Sequence, residues 1–386
     1  MNLVPGFVVA GLLTLPIYRA GLLRERFLGD HVVPADALGA VVLIAVAVAL
    51  LSLLRRDFIR ADPARLTWDD PGDRAALVRP GLVRAWALRF GVVAYVFVAG
   101  GAVLGWAGAL PVSAVVVAAA VFGFVAAWSG GRSVSFGAAG AWVRVVPFGV
   151  ALAGALFVGE GVLWGVAGAL VIATGLACGP AYRPGRRALV RGHRAHVLRS
   201  VASAFGDVLA VLPRARPTRF RLGSAARFVV GGVVARRGMA GAAVLLALAA
   251  PVLHAVFPVV APVWWAGLGA YFATLPFGGG MADVVRVEGL RRWVPHSDTA
   301  LWTAAVVVFL VIAGLWLAAA VLAGLPAVPQ ALPVAAAAVA RTVSRPELDY
   351  SPSPALDMGG LYLPVNLVRQ LVRGPLLLVF GLTALS

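Results

Sequence analysis

Long apolar runs separated by short arginine-rich polar stretches dominate the chain, and the lengths of those runs carry more information than any periodicity within them. Residues 38–54 form an apolar run that stops at Arg55-Arg56, and comparable runs follow at 89–108, 112–130, 145–159, 161–178, 239–257, 258–275 and 299–322. About 20 apolar residues in a helix cross a hydrocarbon core. None of the runs has the dyad alternation of an outer-membrane barrel strand. The pattern therefore predicts an all-α fold, a polytopic transmembrane helical bundle of about 10–12 spans. Residues 3–18 read either as a short first span or as an interfacial helix ending at Arg19, Arg24 and Arg26. No positive n-region precedes that stretch, so it reads as retained. A shorter run lies at 331–340, and the last, 375–384, is too short to cross by itself.

The polar stretches divide the runs into two halves. Residues 183–237 hold thirteen arginines against one acid, Asp207. The expected organisation is a first transmembrane half over 1–180, an Arg-rich cytoplasmic or interfacial linker over 181–237, and a second transmembrane half over 238–386. The portion from Arg221 to Arg237 mixes apolar and basic residues as a helix lying along lipid headgroups does.

Within each half one polar loop stands between apolar runs, and the two loops echo each other. The first, 55–88, contains Ala61-Asp62, Trp68, Pro71, Asp73-Arg74 and Ala76-Leu77. The second, 276–298, with the three residues beyond its end, contains Ala282-Asp283, Arg291-Arg292-Trp293, Pro295, Asp298 and Ala300-Leu301 in the same order, at offsets of 221 to 225 positions. The two halves then close on similar turns, Gly108-Ala109-Leu110-Pro111 and Ala323-Gly324-Leu325-Pro326. Such a recurrence predicts pseudo-repeated halves, each carrying a cytoplasmic docking loop. The docking residues singled out are Trp68, Pro71, Asp73, Arg74, Arg292, Trp293, Pro295 and Asp298.

Composition narrows the chemistry. The chain is 61% hydrophobic and 13% charged, and all 33 basic residues are arginine. Without lysine, neither a Gly-rich phosphate loop of the Lys-Ser/Thr type nor a Schiff-base enzyme is possible. The net charge of +17 reflects basic cytoplasmic loops beside membrane spans and attraction to anionic headgroups rather than nucleic-acid binding. Cys178, the single cysteine, permits no internal disulfide and reads as a small core residue.

The candidate chemical groups are few. His193 and His196 stand three apart in the linker, but surrounding arginines repel a metal cation, so no metal site is expected. His296 beside Asp298 has the types of a general-base pair without a nucleophile, and reads as a turn. Glu160 lies between two apolar runs, either as a proton or cation relay or at an external helix junction. Asp69-Asp70 and Asp73 invite comparison with metal-pyrophosphate transferases, but their spacing fits no such motif. Trp86 and Trp264-Trp265 read as belt or packing aromatics.

The first loop from Arg60-Ala61-Asp62-Pro63-Ala64 to Leu77, the second from Leu290 to Asp298, and the later Arg345-Pro346-Glu347-Leu348-Asp349-Tyr350 and Gln370-Leu371-Val372-Arg373-Gly374-Pro375 resemble permease subunits of actinobacterial ATP-binding-cassette exporters. The resemblance covers the chain loosely. It implies that loops 55–88 and 276–298 rest on a separate nucleotide-binding ATPase subunit, a dimer. It also implies that ATP and Mg²⁺ belong to that partner, leaving this chain without a cofactor or enzymatic activity of its own. The expected location is the bacterial cytoplasmic membrane, multi-pass, with an unknown transported substrate. An ion- or proton-coupled secondary transporter, an integral membrane enzyme acting on lipid-linked substrates and a non-transporting scaffold stay open as alternatives.

Overall fold

The computed structural model describes residues 14–29, 36–68, 72–129, 160–204, 215, 223–345, 355–357 and 362–386. The described chain is helical apart from one antiparallel strand pair, β1 (Ala355–Asp357) and β2 (Tyr362–Pro364). Among the described residues six helices are long and apolar enough to cross a membrane, the pattern of a multi-pass membrane protein. The expected span at 145–159 and the start of the one at 3–18 lie outside the described residues. The chain divides into two compact units, Met1–Val197 with Ala255–Val259, and Leu198–His254 with Val260–Ser386.

In the first unit the helices are α1 (Ala20–Leu28), α2 (Ala37–Leu54), α3 (Pro63–Trp68), α4 (Arg74–Leu104), α5 (Ala109–Trp128), α6 (Glu160–Ala177) and most of α7 (Arg186–Ala204). The apolar run from Leu38 becomes α2, buried through Leu43, Val46, Leu50 and Leu53 against α4 and α5. The span expected to start near Arg89 starts fifteen residues earlier. Asp73 stops the preceding chain and caps α4, its Oδ1 accepting from the Ala75 N–H at 3.1 Å. Leu82 and Val78, both buried, carry the apolar face back into the polar segment. A helix of 31 residues is about 46 Å long. That exceeds the hydrocarbon thickness of ~30 Å, so the end bearing Arg74, Arg79 and Arg84 projects beyond it.

The ends of α2, α5 and α6 meet where α7 begins. The Trp128 carbonyl accepts from the Tyr182 N–H at 2.8 Å, and the Ser129 hydroxyl reaches the carbonyls of Val125 and Ala177. Because α6 ends at Ala177, Cys178 lies beyond the packed helix and is exposed, not a core residue as expected. Glu160 is the exposed first residue of α6.

The second unit holds α8 (Ala225–Ala235), a single 3₁₀ turn, most of α9 (Ala240–Val256), α10 (Pro262–Thr274), a second 3₁₀ turn (Leu275–Gly278), α11 (Gly279–Arg286), α12 (Glu288–Arg292), α13 (Asp298–Leu322), α14 (Ala331–Val343) and α15 (Val365–Leu385). The run expected at 331–340 is α14, and it sits at the centre. Ala331, Ala335, Ala336, Ala338, Val339 and Ala340 are buried beneath α10, α13 and α15. Lipid is as apolar as leucine, so close packing of small residues drives this association. A Cβ on Gly374 of α15 would stand 1.9 Å from the Thr342 hydroxyl, and one on Gly269 of α10 would stand 2.1 Å from the Trp316 ring. The apolar run at 375–384 belongs to α15, a 21-residue helix that continues through Pro375. The run at 258–275 yields only the 13-residue α10, because Pro258 and Pro262 hold the chain in a turn before it.

Candidate functional site: two exposed tryptophan loops

The first loop begins where α2 ends. Arg56 takes a left-handed conformation, φ 57°, that lets the chain leave the helix. Its guanidinium lies 5.3 Å from the centre of the Tyr182 ring. Beyond it, Asp57 approaches Arg89 at 3.9 Å, and Arg89 donates to the Ser52 hydroxyl at 2.9 Å. Asp62 accepts from the Ala64 N–H at 2.9 Å and so starts α3, whose last residue is Trp68. Leu66 on α3 is fully buried while Trp68, two positions on, is 90% exposed.

Helix α7 braces this loop from outside. The Ala61 N–H donates to the Leu189 carbonyl at 3.4 Å, and Arg186 donates to the Thr67 hydroxyl at 3.2 Å. A Cβ on Gly192 would stand 1.9 Å from the Ile59 carbonyl oxygen, so only glycine permits this backbone-to-backbone contact.

The second loop is built differently. Residues 278–280 are glycines in a crowded place: a Cβ on Gly278 would come within 2.6 Å of Val343, one on Gly279 within 2.7 Å of the Arg236 Nε, and one on Gly280 within 3.0 Å of the Gly232 backbone. The buried Arg236 guanidinium reaches out to Asp283 at 2.9 Å. After α12 the chain turns at Trp293, 83% exposed, and Arg291 folds forward over the turn. Its Nε donates to Asp298 Oδ1 at 2.7 Å, and its two terminal nitrogens donate to the carbonyls of Val294 at 2.9 Å and His296 at 2.7 Å. Val294 points inward and is buried. Ser297 caps α13, its hydroxyl accepting from the Ala300 N–H at 3.2 Å. A cleft of ≈ 550 Å³ opens beside this turn, walled by Met281, Val284, Val285, Arg291, Asp298 and Trp302 among others.

The structure sorts the singled-out residues into two groups. Trp68 and Trp293 present their indoles to the surroundings at the ends of short helices. Asp73 and Asp298 are exposed and engage local partners, one capping α4 and the other held by Arg291. Arg74 opens α4, and Arg292, Trp293 and Pro295 are exposed around the second turn. Pro71, with Asp69 and Asp70, lies outside the described residues. His296 meets Arg291 through its backbone carbonyl, and Asp298 is bonded to Arg291 rather than to the imidazole. Trp86 is a packing aromatic, its indole N–H donating to the Ala120 carbonyl at 2.8 Å. Among the described residues no three His, Cys, Asp or Glu side chains come together.

Sequence reasoning missed Arg291 and Arg236, the two side chains that shape the second loop. Nothing in a linear pattern marks an arginine that folds over a turn five to seven residues ahead. The glycine run 278–280 was a signal of close approach, but not of what approaches. Comparison with protein-family models, curated proteins and solved structures gives no match.

Proposed function

We propose that this chain is the membrane permease subunit of an ATP-driven exporter of the ATP-binding-cassette kind, seated in a bacterial cytoplasmic membrane. Its halves act as pseudo-repeats, and a separate nucleotide-binding dimer supplies ATP hydrolysis with its own ATP and Mg²⁺. The observation that supports this reading is the pair of exposed indoles, Trp68 and Trp293, each at the end of a short helix and just ahead of a capped, long apolar helix. The capped amides, of Ala75 and Ala300, stand 225 positions apart, as the two tryptophans do. A large aromatic ring exposed at the end of a short helix is the residue type that anchors protein interfaces.

In this reading each turn is a handle on a lever. Closure of the ATP-bound dimer pushes the short helices α3 and α12, and the capped helices α4 and α13 carry that displacement across the bilayer as rigid bodies. The halves then tilt between inward- and outward-facing states.

Affinity purification of the full chain from its native membrane in mild detergent tests the reading. An ATP-hydrolysing protein is expected to co-purify. Replacing Trp68 or Trp293 by alanine is expected to weaken that complex about 30-fold each, the effect of losing about 2 kcal/mol of anchoring. Reversing charge at Arg74 or Arg292 should weaken it further at low salt than at high salt. Recovery of a folded chain with no ATPase, together with transport by the purified chain alone in vesicles, would instead establish a secondary transporter.

A further inference from the structure

The exposed face of α7 carries chemistry that the docking loops do not use. Over Arg186–Ala204 the helix has five arginines and no acid. One side is fixed: Leu189 is fully buried, and Gly192 rests against the Ile59 carbonyl. At 3.6 residues per turn, Arg187, Arg191 and Arg194 fall on the opposite side, with Val190 and Val197 along its edge. Val197 is 45% exposed, and all three of those arginines are exposed. Valines flanked by arginines whose stems can lie along an apolar boundary make an interfacial helix.

The position of the helix selects the partner. It begins shortly after the end of α6, and its first turns lie on Ile59 and Ala61, just past the end of α2. The Tyr182–Trp128 bond holds the intervening chain against the end of α5. Three candidate spans therefore end beside it, at the depth of the headgroup layer, roughly 5–8 Å thick on each side. A cationic face at that depth meets anionic lipid before it meets any soluble protein.

We infer that the Arg187–Val197 face of α7 is a binding surface for the headgroups of anionic phospholipid, with Val190 and Val197 entering the acyl boundary. The surface holds α7 down, and through Gly192 and Leu189 it steadies the first loop. The inference rests on membrane embedding alone, so the exporter reading can fail without it.

The test uses the full-length chain with Cys178→Ser and Val197→Cys, an environment-sensitive fluorophore on the new thiol, and reconstitution into phosphatidylcholine vesicles with or without phosphatidylglycerol. Phosphatidylglycerol is expected to shield the label from aqueous iodide and to expose it to quenching by bromo-acyl phosphatidylglycerol. The triple change Arg187→Glu, Arg191→Glu and Arg194→Glu should reverse the shielding, about tenfold or more in the docked-to-free ratio. Arginine-to-lysine changes at the same positions should preserve it, and arginine-to-glutamine changes should give a smaller loss than glutamate. Equal iodide access in both vesicle types overturns the inference, and so does shielding that a soluble acidic polypeptide produces and phosphatidylglycerol does not. Unaltered shielding in the glutamate variant overturns it as well.

Discussion

The two tryptophan loops reach the same outward result by unlike means. The first is propped from outside, by α7 lying across Ile59 and Ala61, with Asp73 capping the helix that follows. The second is tied from within, by Arg291 spanning its own turn to Asp298 and two carbonyls. The echoed acids have therefore diverged in role: Asp62 starts a helix, whereas Asp283 anchors Arg236. What recurs is the exposed indole and the capped amide behind it. An echo in sequence thus marks the surface to be presented, while the scaffold presenting it is free to differ.

That contrast can be broken one side at a time. The largest effect is expected from Gly192→Leu, where the added side chain meets backbone that cannot yield. It should cost about 3 kcal/mol or more locally, raising hydrogen exchange over 57–68 and leaving 287–298 unchanged. Next is Arg291→Ala, which removes donors from a carboxylate and two carbonyls at a half-exposed turn. A loss of about 1–3 kcal/mol is expected, read as faster exchange at 293–298 with the first loop unaffected. Smaller again are the caps: Asp73→Ala and Ser297→Ala should each fray their helices by about 1 kcal/mol, and Asp73→Ser and Ser297→Asp should restore most of it. The smallest is Arg186→Ala, whose exposed bond to Thr67 should be worth about 0.5 kcal/mol or less in the same exchange assay. If Arg291→Ala loosens both loops equally, the two do not have separate scaffolds.

The spans at α2, α5, α6, α9 and α13 could be read from the sequence because membrane crossing needs only length and apolarity. The start of α4 could not, because hydropathy alone places it at Arg89 and ignores the cap at Asp73 and the buried Val78 and Leu82. The position of α14 at the centre of its unit was also hidden. An alanine-rich run of 13 residues looks weak until the glycines of neighbouring helices are seen to close on it. At the loops, the tryptophans singled out for docking are both exposed. The local bonds of the aspartates were not legible: Asp73 accepts from a free amide at the start of α4, as a short acidic side chain beside a helix start does, and Asp298 accepts from Arg291 seven residues back.

The most direct test of the central claim is photo-crosslinking from both indole positions. A photoreactive amino acid placed in turn at Trp68 and at Trp293, in the full chain in its native membrane, reports what each ring touches. The account predicts that both positions capture the same ATP-hydrolysing protein and that a crosslinker at buried Leu66 captures nothing outside the chain. Capture of lipid alone at both positions, or of unrelated proteins at the two, in a correctly folded chain would contradict it.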